Sequence, residues 1–451
     1  MTRRPALATL LLGIASAWLL PVAARCVDED AFQPATTAAP PAVMQAVADP
    51  RVTLNGMVRD ALERSHAVGA AKLLSEAALQ DIEEVRAGQG IQASVGGGVG
   101  PGGSRSQGVV ENSAAQLRAT VNVSQLLYDG GRTERLTDWR SQLAESARWG
   151  HLSQQEQLAM TTVALALERS RYRMTAQVWR NHVRKMGCLV EALESIVRTD
   201  RGRASELLQA KKSLQQAELA QSQTQSAVRQ IEVRLRRLIG DGLPGAEGLS
   251  SVFVGVPDLG QLVADVERST EIHQLGAQAA AAARYADAVA AGANPQLSWN
   301  VSGSAAAGAG GTAGSTRNGT YSVGLTVSVP LLNPGLAPAT NAARKRAQAA
   351  TLQRAEALES RRFRVAEVHE QTLASLDRAK RVAEVLRNSE QVRNFTLQQW
   401  QQLGKRSLFD VMAAEGDHNN MRIAYVYALH DVQQLNANLL SLGRGVIEWL
   451  R

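Results

Sequence analysis

The chain has 451 residues, 45% of them hydrophobic, yet only seven Trp, six Tyr and five Phe, so its apolar content is mostly Ala, Leu and Val. Thick globular cores draw much of their buried area from large rings, whereas an Ala/Leu/Gln/Glu/Arg-rich composition belongs to long helices packed at close range. The formal net charge of +7 is spread over helical faces, which makes nucleic acid an unexpected partner.

The first element is an export signal. Arg3 and Arg4 precede an apolar run over residues 6–24 that ends Val22-Ala23-Ala24, the pattern of a secretory signal peptide over residues 1–24. A membrane anchor is the competing reading, but the run barely reaches spanning length and contains Pro21. Residues 25–50 form a Pro/Ala-rich segment. Cys26 lies beside the mature N-terminus, but Arg25 occupies the place where a lipidated cysteine needs a small residue, so no lipid is expected. Cys188 lies far along the chain in a helical stretch, and an intramolecular disulfide has no support in the sequence. No other window of about 19 residues is apolar enough for a membrane helix.

Self-comparison pairs Glu63-Arg64-Ser65 with Glu267-Arg268-Ser269 and Ala87-Gly88 with Ala291-Gly292, both at an offset of 204. Leu126-Leu127 pairs with Leu331-Leu332 at 205, and Glu206-Leu207 with Asp410-Val411 at 204. A near-constant offset kept in order along the chain predicts two copies of one unit, over residues 51–250 and 251–445, followed by a tail at 446–451. In each, a helix (residues 54–87 and 259–291) stops near a glycine.

Period-two stretches follow. Ile91, Ala93 and Val95 alternate with Gln92, Ser94 and Gly96, and Leu117, Ala119, Val121 and Val123 with polar neighbours. Leu297, Trp299 and Val301, then Tyr321, Val323, Leu325, Val327 and Val329, do the same in the second copy. This predicts four strands of about ten residues in two hairpins, near 91–128 and 296–330, with Gly/Ser-rich loops at 97–114 and 305–319. Strands apolar on one face and polar on the other suit a half-buried sheet or a membrane barrel. Four strands do not close around an aqueous lumen, so a barrel requires a homo-oligomer; three chains would give twelve strands with no open edge. Gly98, Gly100 and Gly103 fit G-x-G-x-x-G, but no helix follows on which a phosphate would dock, so no nucleotide is expected.

The turns Tyr128-Asp-Gly-Gly and Asn333-Pro-Gly open long helical patterns over residues 132–198 and 339–403, each on the order of 100 Å at about 1.5 Å per residue. Gly130 and Gly131, and Pro330 and Gly335, mark the passage from strand to helix. Met186, Leu189, Leu193 and Ile196, and Val228, Ile231, Leu235 and Leu238, have the three-four spacing of lengthwise helix packing. Short breaks containing Gly202 and Ser205, and Gly404 and Ser407, then return the chain in helices over residues 206–239 and 409–442, with tips near 200–206 and 404–410. The serines are expected as N-caps.

Three stretches together carry a resemblance: Gln125-Leu-Leu-Tyr-Asp-Gly-Gly-Arg132, Ser328-Val-Pro-Leu-Leu-Asn-Pro-Gly335 and Gly404-Lys-Arg-Ser-Leu-Phe-Asp-Val-Met-Ala-Ala414. With the element order over residues 50–445, the chain resembles the TolC-like family of outer-membrane efflux and secretion channels. The resemblance implies a mainly helical fold with a β-barrel part: a homotrimer whose twelve strands form one barrel in the outer membrane of a Gram-negative bacterium, continued across the periplasm by a twelve-helix α-barrel. It implies as partners a periplasmic adaptor, an inner-membrane ABC transporter or proton-driven pump, and outer-membrane lipid.

The resemblance also places an entrance or gate at Asp410, Arg406 and Glu206. Asp410 falls on an inward carboxylate position, Arg406 on a position whose pairing helps hold the entrance shut, and Ala413 where a second carboxylate would stand. Around the two tips seven basic residues face five acidic ones, so an entrance less cation-selective than doubly acidic relatives is expected. Asp410 also reads as an N-terminal helix residue favoured by the macrodipole. Gly202, Ser205, Gly404 and Ser407 read as turn and cap residues or as sites where an adaptor docks. The seven histidines show no metal spacing and read as surface or interface residues. No cofactor, metal or catalytic constellation is expected. The alternatives are a non-conducting periplasmic coiled-coil adaptor or scaffold, and a surface filament; neither needs two amphipathic hairpins.

Overall fold

The computed structural model describes residues 49–106, 109–245, 248–253, 255–309, 316–403 and 405–451. The expected signal peptide, Cys26, Gly404 and nearly all of residues 25–50 lie outside them. The first part of the chain runs α1 (Pro50–Arg64), α2 (His66–Ala87), β1 (Ile91–Ser106), β2 (Val109–Tyr128), α3 (Arg132–Thr199) and α4 (Ala204–Ile239). The second runs α5 (Leu259–Val266), α6 (Thr270–Ala290), β3 (Gln296–Ala309), β4 (Thr316–Ser328), α7 (Leu336–Leu403), α8 (Leu408–Leu442) and the short α9 (Val446–Leu450). Two compact units result. A tip unit contains Met174–Ser226 and Leu386–Ile423, and a sheet unit contains Ala48–Arg173, Ala227–Val385 and Ala424–Arg451.

The single helices expected before each hairpin are each two. Ser65 adopts extended backbone and its hydroxyl accepts from the Val68 N–H at 3.3 Å, which ends α1 and starts α2. Extended backbone at Ser269 likewise separates α5 from α6. The Glu-Arg-Ser triplets that match between the two halves therefore sit at helix breaks; at the first the Ser65 hydroxyl competes for an N–H group that a continuous helix would use, whereas Ser269 makes no such cap bond.

In the sheet unit, Leu54 and Met57 of α1 pack with Ala159, Val163, Ala166 and Leu167 of α3 and with Leu235 and Ile239 of α4. The alanines let helix axes approach closely, and each large side chain removed from water contributes roughly 2 kcal/mol. Val365 and Val368 of α7 meet Leu262 and Val266 of α5 and Leu439 of α8. Two amides of α8 clamp the loop after α4: Gln433 Oε1 accepts from the Phe253 N–H and Asn436 Nδ2 donates to the Phe253 carbonyl, both at 2.8 Å. The two expected helical stripes are buried in different places. Met186, Leu189 and Leu193 join a cluster in the tip unit, whereas Ile231, Leu235 and Leu238 pack in the sheet unit.

The four strands form one antiparallel sheet in the order β1-β2-β3-β4. They are longer than expected, at 16, 20, 14 and 13 residues. The ladder between β1 and β2 continues through the glycines to Ser106 opposite Val109, so most of the expected loop at 97–114 is strand. Glycine has low strand propensity, but ladder hydrogen bonds to a neighbouring strand satisfy its backbone all the same.

Of the seven histidines read as surface or interface residues, His418 and His430 are buried, on packed faces of α8 where polar residues such as Asn419 and Gln433 are buried with them. Cys188 is disulfide-bonded, where the sequence offered no support for a bridge.

Candidate functional site

Helix ends build the tip. Leu193 and Met186 of α3, Leu207 and Ala210 of α4, and Leu408 and Met412 of α8 share one cluster with Trp400 of α7. The α3–α4 and α7–α8 turns are thereby held side by side. In the first, Asp200 rather than Ser205 is the cap: its Oδ1 accepts from the Gly202 N–H at 3.0 Å across a 3-10 turn, Arg201–Arg203. Ser205 lies inside α4, which begins at Ala204. Glu206, in the first turn of α4, pairs with Arg203 at 3.1 Å.

In the second turn the expected serine cap is present and reciprocal. The Ser407 N–H and hydroxyl both donate to Asp410 Oδ2 at 3.0 Å, and the Asp410 N–H donates to Ser407 Oγ at 3.2 Å. This is a capping box built with Asp. The bonds from the Ser407 backbone and hydroxyl hold the Asp410 carboxyl below the usual carboxylate range, and the Arg406 charge adds to them. Arg406 itself donates through Nε to Gln399 Oε1 at 3.1 Å. No ion pair joins Arg406 to Asp410 among the described residues, so the structure brings the two into one turn without pairing them. Gly202 and Ser407 are exposed, and Gly404 lies outside the described residues.

The sheet is the second part of the site. Across its four strands Ala93, Val123, Val301 and Val323 form one row, and Ser94, Asn122, Ser302 and Ser322 the next. Rows of opposite character alternate because successive side chains point to opposite faces. On the polar face Ser302 bonds Ser322 and Ser304 bonds Thr320, each at 2.7 Å. On the apolar face Val95 is 80% exposed, Val323 74% and Tyr321 90%, so no described residue covers it. β1 and β4 each leave one edge unpaired.

The passage from β2 to α3 explains its sequence. Asp129 Oδ1 accepts from the N–H groups of Gly131 and Arg132 at 3.1 Å, and Oδ2 from Thr133 at 2.6 Å. Gly130 and Gly131 have φ of +64° and +79°, a left-handed conformation that glycine adopts without the Cβ clash. The Gly130 carbonyl accepts from Asn294 Nδ2 at 2.7 Å, tying the turn after β2 to the segment just before β3. At the other passage Pro330 follows the end of β4, and the Gly335 N–H donates to Asn333 Oδ1 at 3.2 Å.

No protein-family model and no curated protein matches the chain. Solved structures do. CusC, whose crystal structures concern transmembrane channel formation, superposes with a TM-score of 0.74 at 16% identity, covering 87% of this chain and 92% of that one. The outer membrane protein VceC of Vibrio cholerae gives 0.72 at 17%, covering 87% and 96%. The open state of the Neisseria gonorrhoeae MtrE outer membrane channel gives 0.70 at 17%, covering 88% and 90%. This is the fold of the TolC-like outer-membrane channels. Within that fold, sequence reasoning missed Asp129 as a cap, Asn294 as a tie and Asp200 as the first-turn cap. Asp before Gly-Gly at the start of a helical pattern was signal enough for Asp129; nothing local announces Asn294.

Proposed function

We propose that the chain is the outer-membrane exit duct of a tripartite efflux or type I secretion system, a passive path for protein or small-molecule cargo rather than an enzyme. The observation that carries this reading is the sheet: a bare apolar face, a hydroxyl-lined opposite face and two unpaired edges. Contiguous exposed apolar surface of this kind marks contact with lipid or partner, and edges left open invite pairing with another copy. Three copies would join edge to edge into twelve strands around water, with the apolar rows toward outer-membrane lipid. No described helix is long and apolar enough to cross a membrane, so the sheet is the element suited to that role. A non-conducting scaffold has no use for such a sheet.

In this reading the tip turns face the periplasm and form the entrance. Asp410, Arg406 and Glu206 bias the closed state, which opens by untwisting of the helix pairs. Gly202, Ser205, Gly404 and Ser407 shape the tips on which a periplasmic adaptor docks, while an inner-membrane ABC transporter or proton-driven pump supplies the energy. The mass of detergent-purified protein tests the assembly. Three chains per particle support the duct; a monomer that stays in solution without detergent returns the protein to the scaffold reading.

A further inference from the structure

We infer that Arg118 forms a cationic ring inside the barrel, one arginine from each copy, and that this ring is a transit site for the carboxylate or phosphate groups of anionic cargo. The inference rests on the duct reading for the existence of a lumen, and on the strand register for what lines it. Arg118 stands in one cross-strand row with Gly98 of β1, Ala306 of β3 and Asn318 of β4. The next row on the same face is Gly96, Thr120, Ser304 and Thr320, where Ser304 bonds Thr320. Arg118 therefore belongs to the hydroxyl-bearing face. Among the described side chains of the four strands there is no Asp or Glu, and the charged ones are Arg118 and Arg317. Arg317 falls on the other face, in the row of Leu117 and Ala307. A lipid headgroup outside would meet Arg317; only what passes inside would meet Arg118.

The surroundings leave the guanidinium free to act. Arg118 is exposed, and among the described residues no carboxylate pairs with it. Gly96, Gly98 and Gly100 follow one another along the same face of the neighbouring β1, and a Cβ built at Gly98 or Gly100 would meet nothing within 4 Å. Glycine weakens a strand interior, and its use there marks a place where something approaches the backbone closely. With strands about 4.8 Å apart and tilted about 40°, a twelve-strand barrel has a backbone radius on the order of 12 Å. An extended arginine spans about half of that, which brings each guanidinium within a Debye length, about 8 Å at physiological salt, of the axis. Three like charges then add their fields where cargo must pass, and no described carboxylate on this face cancels them. The planar fork of arginine pairs with carboxylate or phosphate oxygens, so the ring favours oxyanions and gives nothing to cations.

The test uses the detergent-purified full protein in planar bilayers, with reversal potentials read under a potassium chloride gradient and tripolyphosphate added to either chamber as the probe anion. Arg118→Gln is expected to raise the cation-to-anion permeability ratio at least about twofold over the parent. Tripolyphosphate is expected to block the parent current, and Arg118→Gln to weaken that block about tenfold. Arg118→Lys, which keeps the charge, is expected to keep the parent's reversal potential while binding tripolyphosphate less tightly, since an ammonium lacks the fork. Arg317→Gln removes the same charge from the adjoining row on the opposite face and is expected to change neither readout. Arg118→Gln pores with the parent's selectivity and block, or an equal shift in Arg317→Gln, would overturn the ring and leave the duct standing. A parent protein that forms no pore sinks the duct reading itself, and the ring with it.

Discussion

Ser407 and Asp410 hold one another through three hydrogen bonds at the start of α8, which gives the carboxylate a structural task before any role in permeation. Ser407→Ala is expected to cost about 1 kcal/mol and to let the Asp410 carboxyl return toward its ordinary range; urea unfolding and an NMR titration of the carboxyl measure the two effects. Gly130→Ala is expected to be more severe, since a Cβ there would stand 2.2 Å from Asn294 Cβ, and thermal melts would register it. Glu156 responds to pH in a definite direction. Burial pushes its carboxyl above the ordinary 4.5, although the Val446 and Ile447 N–H groups that it caps oppose the shift. A raised pKa means that the stabilising contribution is whole below the unfolded value and lost as pH rises through the folded one. Glu156→Gln is therefore expected to gain on the parent protein as pH climbs from below 4.5 toward neutrality, and a stability difference that stays flat with pH would count against this.

Elements divide into those that the sequence announces and those that neighbours decide. Val95 and Val121 are legible as strand residues because alternation is a property of each strand alone, and their registration opposite one another follows from it. The glycines after Gly96 carry no side chain and so no alternation, which is why strand was read there as loop. The pairing of β2 with β3, which fuses two hairpins into one sheet, depends on backbone groups that no side-chain pattern reports. At the tip, Asp200 caps the 3-10 turn through the Gly202 N–H, and α4 begins at Ala204, which leaves Ser205 inside the helix rather than at its cap. The packing beneath the tips makes a further prediction at this scale. Leu193, fully buried between the helix ends, is expected to cost roughly 2–5 kcal/mol when cut to Ala, with faster proteolysis at the turns as the readout. Burial holds the nearby His182 neutral, its pKa lowered to about 4 with help from the Lys185 charge. Its contribution is present above 6.5 and is lost as pH falls toward 4, so His182→Gln is expected to flatten acid destabilisation over that window in urea titrations.

For the whole molecule, the solved channels share the fold at 16–17% identity, so element order and packing survive where residue identity does not. The motifs legible in the sequence are those whose backbone demands are strict, such as the left-handed Gly130-Gly131 pair; the charge balance of the tips is set by which carboxylates are consumed as caps and is visible only in three dimensions. With Asp410 and Glu206 engaged inside the chain and Arg198, Arg201, Lys212, Lys405 and Arg406 exposed beside the exposed Asp417, reversal potentials under a salt gradient are expected to show weak cation preference, and a strongly cation-selective pore would contradict that. The central claim, that assembled copies enclose a water-filled path, is tested most directly by single-channel conductance of detergent-purified protein in a planar bilayer. Discrete, partly gated conductance steps from trimeric particles are the expected result. Trimeric protein that enters the bilayer and passes no current under any applied potential would contradict it.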